Sequence, residues 1–217
     1  MRKYNITYES RYKNYDINNN QSQGCHTEIL DKIIDTMEYY RNKRANTLLT
    51  SIVLNFPQGI NFPSDNSLLT QFLENLNTYA SRLNLVNPLD LKLVWIREQN
   101  KSPNCHYHIF FLTNYSASKN PWKYLTEAER LWYKTLEFRY DVKSNLWIHP
   151  LGLSQQSGLV HVCKPSESSI QGNGTLLPRN DNEAWAKAVK WMSYNSKTRT
   201  KGQAPAGVRE FGSSAIH

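Results

Sequence analysis

LKLVWIREQNKSPNCHYHIFFLTN, residues 91–114, holds two apolar runs rich in branched and aromatic side chains, parted by a polar segment with a proline. Such runs read as strands, and Asn100–Asn104 is short enough to turn an antiparallel hairpin. Side chains alternate faces along a strand, so His106 and His108 point one way and Tyr107 the other. With the turn centred on residue 102, Glu98 lies opposite His106 and on its face. A slip of one residue would present Arg97 or Gln99 instead.

Outward from this hairpin, LLTSIVLNFP (48–57) reads as a buried strand halted by Pro57, and GLVHVCK (158–164) as a fourth strand. Apolar residues recur at helical spacing in HTEILDKIIDTMEYYRNKR and in SDNSLLTQFLENLNTYASRL. Thr126 and Glu129 suggest a capping box opening the helix TEAERLWYKTLEFR. SESSIQGNGTLLPRNDN is loop by composition, and NEAWAKAVKWMSYNSK is the last helix. The order predicts an α+β fold: an antiparallel sheet with helices mainly on one face, the split βαβ arrangement of ferredoxin-like and RRM-like domains. Residues 1–25 read as a flexible polar arm, and residues 26–217 as a single domain.

The chain has 217 residues, with 26 Lys and Arg against 18 Asp and Glu, a net charge of +8. That balance favours polyanions, because each phosphate neutralised releases condensed counterions. Thirteen Tyr, seven Phe and six Trp supply rings able to stack on unpaired bases. No stretch is apolar for long enough to span a bilayer, and no membrane partner is expected. The polar start and three cysteines without a CxxC pattern fit reduced thiols in the cytoplasm.

Two imidazoles on one strand face can approach a single divalent cation, and a carboxylate would complete a harder site suited to Mn or Mg. A second chemical feature stands in WMSYNSK. On a helix, Tyr194 and Lys197 are neighbours on one face. A phenol needs a nearby cation before its phenolate can serve as a nucleophile, and Lys197 would supply one. Lys187 and Lys190 extend the same stripe, opposite Trp185, Ala188, Val189 and Met192, while Arg199, Lys201 and Arg209 follow it. With the apolar stripe flat on the sheet, Tyr194 would face away from the histidines. The two features meet only if that helix lies at the sheet's edge. Together they would let Tyr194 attack a phosphodiester held by the metal.

His106-Tyr107-His108 resembles the His-hydrophobe-His motif of the HUH endonuclease superfamily, and Tyr194-Asn195-Ser196-Lys197 resembles its YxxK motif. With WIREQ (95–99), SYNSKT and REFGSS (209–214), the chain more closely resembles the inovirus-type replication proteins of filamentous phages and YagK/YfjJ-type prophage genes. The resemblance implies rolling-circle initiation: single-stranded or origin DNA is nicked, a 5′-phosphotyrosine forms, and host helicase and polymerase extend the free end. It assigns His106 and His108 as metal ligands, Tyr194 as nucleophile and Lys197 as its helper. Glu98, with Gln99 as alternative, takes the third-ligand position. Arg97, Lys187, Lys190, Arg199, Lys201 and Arg209 are candidates for DNA contact, and Arg209 and Ser213 fall in the terminal motif. No second tyrosine accompanies the first, so a homodimer is one way to complete strand transfer. The location implied is a bacterial cytoplasm.

Two rival readings compete with this one. A ferredoxin-like endoribonuclease would employ His106 or His108 as a base with no metal and no covalent step. A non-catalytic, basic origin-binding regulator would need neither Tyr194 nor the histidines.

Overall fold

The computed structural model describes residues 4–19, 23–99, 102–155, 157–163 and 174–216. Its central sheet contains β1 (Asn46–Leu54), β2 (Lys92–Glu98), β3 (His106–Asn114), β4 (Val160–Cys163), β5 (Thr175–Pro178) and β6 (Phe211–Ser213). Helices α1 (Thr27–Lys43), α2 (Ser67–Ser81), α3 (Trp122–Thr135) and α4 (Asn182–Ser193) surround it. Across the sheet the order is β4, β1, β3, β2, β6, with β5 beside β4 along the outer edge of β1. All the pairings are antiparallel. The path β1-α2-β2-β3-α3-β4 is therefore a βαββαβ unit of the ferredoxin-like kind, and the expected α+β class holds.

The helices cover both faces rather than mainly one. Leu93, Tyr107, Ile109 and Phe111 join Phe72, Leu76, Leu125 and Trp132 in a core under the crossover helices α2 and α3. Val94, Ile96, Phe110 and Leu112 point the other way, against Ile33 and Met37 of α1 and Trp185 and Val189 of α4. The reason is legible in IFFL itself. A continuous apolar run exposes no polar face, so each side of the strand needs its own cover.

Several boundaries differ from the sequence reading. Helix α3 starts at Trp122, where Asn120 Oδ1 accepts the Trp122 backbone N–H at 2.9 Å, so the Thr126–Glu129 box lies inside the helix. Within the segment read as loop, Thr175–Pro178 pairs with Leu49–Asn46, while residues 166–173 lie outside the described residues. A small meander, Arg139–Asp141, Leu146–Ile148 and Ser154–Gln155, follows α3. The amino-terminal segment, expected to be a flexible arm, lies against α1. Tyr12 donates to Asp31 at 3.0 Å, Tyr15 to Glu38, and Ile17 is buried.

A candidate metal centre and the tyrosine segment

The hairpin keeps the register that places the acid with the imidazoles. Glu98 pairs with His106 and Ile96 with His108, so Glu98, His106 and His108 share the α1/α4 face at the open end of β2 and β3. Glu98 Oε2 lies 3.5 Å from the Nε2 atoms of both histidines, whose ring centroids are 5.2 Å apart. The side chains of Glu98, His108 and His106 are 12%, 20% and 31% exposed, so the cluster is sheltered yet open on one side. Among the described residues this is the one group of three or more potential ligands, with donor atoms within 4.8 Å of one another.

The spacing fits a single cation. For bonds of about 2.1 Å, adjacent donors lie about 3 Å apart in an octahedron and about 3.5 Å apart in a tetrahedron. Two neutral nitrogens and one carboxylate oxygen suit a divalent metal of intermediate hardness. Burial alone would raise the Glu98 carboxyl pKa. Hydrogen bonds from His106 and His108 and the Lys201 charge override it, holding that pKa far below the usual carboxylate range. Glu98 is therefore an anion at every ordinary pH. Gln99, the alternative third ligand, turns elsewhere: it accepts from Arg97 Nη2 at 3.2 Å and donates to the carbonyls of Ser102 and Pro103.

The tyrosine motif has a different local form from the one expected. Asp181 caps α4 by accepting the Ala184 N–H at 2.9 Å, and the helix ends at Ser193. Ser193 Oγ donates to the Lys190 carbonyl at 2.7 Å, and Ser196 Oγ to the Ser193 carbonyl at 2.6 Å. Such back-bonding competes with helical hydrogen bonds and favours termination. Tyr194–Ser196 forms one 3₁₀ turn, and Lys197 is extended at φ −60°, ψ 143°. Tyr194 and Lys197 meet all the same. The Lys197 ammonium lies 4.1 Å from the centroid of the Tyr194 ring, within cation–π range.

Four contacts hold the end of α4 and the segment that follows. Thr198 N–H donates to the Gly24 carbonyl at 3.3 Å, and Lys197 bridges to Cys25. Gln99 N–H donates to the Thr200 carbonyl at 3.2 Å. Asn18 N–H, from the amino-terminal segment, donates to Ser193 Oγ at 2.7 Å. The peptide that begins at Tyr194 thus ends at the tip of β2. There Lys201 Nζ donates to Glu98 Oε1 at 2.6 Å, with its side chain only 1% exposed. Arg199 Nη2 donates to Tyr194 Oη at 2.9 Å, and Tyr194 itself is 41% exposed.

The residues expected to contact DNA separate into two groups. Lys187, Lys190, Arg199 and Arg209 are exposed, with Lys187 paired to Glu183 at 2.8 Å. Arg97 and Lys201 are buried, which corrects their expected place on a DNA-facing surface. Arg97 projects to the opposite face from the histidines, because residue 97 alternates with 98. Lys201 is drawn in by the carboxylate of Glu98. Most of the terminal motif is built into the sheet: Phe211–Ser213 pairs with Ile96–Val94, and Arg97 N–H donates to the Glu210 carbonyl at 2.7 Å. The contacts of Lys201 and Arg199 were missed by sequence reasoning, since the stretch after Lys197 has no period from which a partner could be read.

Beside His106 opens a cleft of about 550 Å³, lined among others by Asn55, Phe56, Gln58, Ser102 and Gln155. No helix among the described residues is long and apolar enough to cross a membrane. A search of curated proteins returned no match. A family model, that of the YagK/YfjJ C-terminal domain, matches residues 7–214. That span includes the hairpin, the tyrosine segment and the closing strand, so the chain belongs to the YagK/YfjJ C-terminal domain family.

Proposed function

We propose that this protein is a metal-dependent tyrosine endonuclease of the HUH type. In this reading it nicks and rejoins single-stranded DNA at an origin to start rolling-circle replication of a phage, prophage or plasmid-like element. The observation that carries the reading is the convergence of Glu98 Oε2 with both His Nε2 atoms at 3.5 Å, on the strand to which the tyrosine's own segment is tied. The family membership and the basic charge of +8 support it.

Glu98, His106 and His108 would hold Mn or Mg, and the ion would neutralise charge on the non-bridging oxygens of the scissile phosphate. Tyr194, exposed on its turn, supplies the nucleophilic oxygen. Its bond to phosphorus forms as the bond to the 3′-oxygen breaks; the phenol proton passes to solvent and the freed 3′-oxygen takes one up. Arg199 at the hydroxyl and Lys197 over the ring offset the phenolate charge. The energy of the cleaved bond stays in the phosphotyrosine, so rejoining needs no nucleotide. The cleft next to His106 has the size for a nucleotide flanking the cut. Exposed Lys187, Lys190 and Arg209 would contact backbone phosphates. The partners implied are origin DNA, a host helicase and polymerase, and a second copy for strand transfer, in a bacterial cytoplasm.

The test is direct. The protein is incubated with end-labelled single-stranded DNA from its own element and with Mn, then run on a denaturing gel. A protein–DNA adduct that maps to Tyr194 by mass spectrometry, and disappears with chelator, is the expected result. Chelator-resistant cleavage without an adduct, on RNA or DNA, would replace this reading with the acid–base nuclease.

A further inference from the structure

One contact in the site has no part in holding a metal. Glu98 offers two oxygens, and they are divided: Oε2 faces both imidazoles, while Oε1 takes the Lys201 ammonium at 2.6 Å. A distance that short is that of a charge-assisted hydrogen bond. Lys201 is not a surface lysine that happened to drift inward. Its side chain is 1% exposed, its ammonium also reaches Thr200 Oγ1 at 3.2 Å, and its backbone N–H donates to the Thr198 carbonyl at 3.0 Å. Glu210, 5% exposed, is the other acid near it, and the Arg199 guanidinium the nearby like charge.

We infer that Lys201 is a built-in counter-cation that competes with the divalent metal for Glu98, keeping the site a weak, one-oxygen binder. With two neutral imidazoles and one carboxylate, the donor set carries a charge of −1, which the ammonium cancels. A bound divalent ion then keeps its full double charge for the substrate phosphate. The ammonium on Oε1 also bars chelation through both carboxylate oxygens, leaving coordination positions for phosphate and water. Like charges a few ångströms apart in a sheltered site repel strongly, so the ion is held loosely until an anionic substrate arrives. Lys201 is a positioning residue: it acts through Glu98.

The sign of the effect is the test. This inference rests on the metal site proposed above, so unmodified protein is titrated first with Mn by calorimetry. Lys201→Met, which keeps length and removes charge, should then bind Mn about tenfold more tightly or better, and Lys201→Arg should stay within about threefold of the unmodified chain. Loss of the ammonium strands Glu98, so the Met variant should melt lower without Mn and gain more from added Mn than the parent does. If the Met variant fails to fold without metal, Mn should restore it; failure to do so overturns the inference. Equal or weaker Mn binding by folded Lys201→Met also overturns it while leaving the endonuclease reading standing. No Mn binding by unmodified protein would remove both.

Discussion

Arg199 Nη2 donates to the hydroxyl of Tyr194 across 2.9 Å, and both side chains face solvent on the turn that follows α4. The guanidinium is five residues from the phenol in sequence and comes to it only because the chain leaves the helix at Ser193. With Lys197 over the ring, the oxygen proposed as nucleophile is flanked by two cations.

The first prediction follows from that pairing. Tyr194→Phe should abolish the protein–DNA adduct while leaving DNA affinity within about twofold. Arg199→Ala should slow adduct formation about 100-fold, the scale for losing one charge-stabilising donor. Lys197→Ala should slow it less than Tyr194→Phe. Single-turnover gels and fluorescence anisotropy separate the two quantities. An adduct of normal yield with Tyr194→Phe would exclude the phenol.

Removing a ligand should show in metal binding before it shows in catalysis. His106→Ala and His108→Ala should each weaken Mn binding by at least about 100-fold, more than the effect of losing an outer partner. Both side chains are partly exposed, so thermal stability should change by less than about 1 kcal/mol. Mn titration with a parallel melting curve checks both statements. Unchanged Mn affinity in both variants would show that the ion sits elsewhere.

At the sheet's closing edge, Gly212 lies against Trp95. A Cβ added at Gly212 would meet the indole at 2.7 to 2.9 Å, and the ring cannot yield as a flexible chain end would. Gly212→Ala should therefore destabilise the fold by about 1–3 kcal/mol and loosen β6 from β2. Chemical denaturation gives the energy. Faster hydrogen exchange at the Arg97 amide, which donates to Glu210, gives the location.

Asp90 ties the end of α1 to the approach of β2. It receives Arg44 Nη2 at 2.7 Å and Nε at 3.0 Å, and Lys43 pairs with it at 3.1 Å. Burial works to raise its carboxyl pKa, but Arg44 and Lys43 hold it below the ordinary value. A carboxyl depressed in the fold gives stability that is full above its unfolded pKa near 3.9 and lost as pH falls through the lower folded value. Asp90→Asn should cost about 1.5–3 kcal/mol at pH 7 and progressively less as pH falls below the unfolded value. A cost that stays equal as pH falls would rule out the charge as the source.

The hairpin and the grouping of Glu98, His106 and His108 were readable because, with the turn centred on residue 102, register fixes which residues share a face. The αβ order followed from apolar period alone. What escaped is what long-range contact decides. Glu98 and Lys201 are 103 residues apart, and nothing local marks Lys201 for burial. Thr175–Pro178 is short and ends in proline, so its pairing with β1 leaves no strand pattern. The first turn of α3 lies ahead of the Thr126 signal, where Asn120 Oδ1 accepts the Trp122 N–H, a start the Thr126–Glu129 pattern concealed. The early end of α4 rests on two serine hydroxyls that bond backward, an outcome that periodicity does not register.

The closing strand also sets a practical boundary for anyone working with this protein. Because β6 pairs with Val94–Ile96 of β2, truncation before Phe211 would remove an edge strand from the sheet and loosen Glu210, whose carbonyl accepts the Arg97 N–H. Affinity tags belong after residue 214, joined by a spacer. A protease that clips between Lys201 and Arg209 would leave the tyrosine's segment on its anchors at Gly24 and Gln99 and part it only from the closing strand.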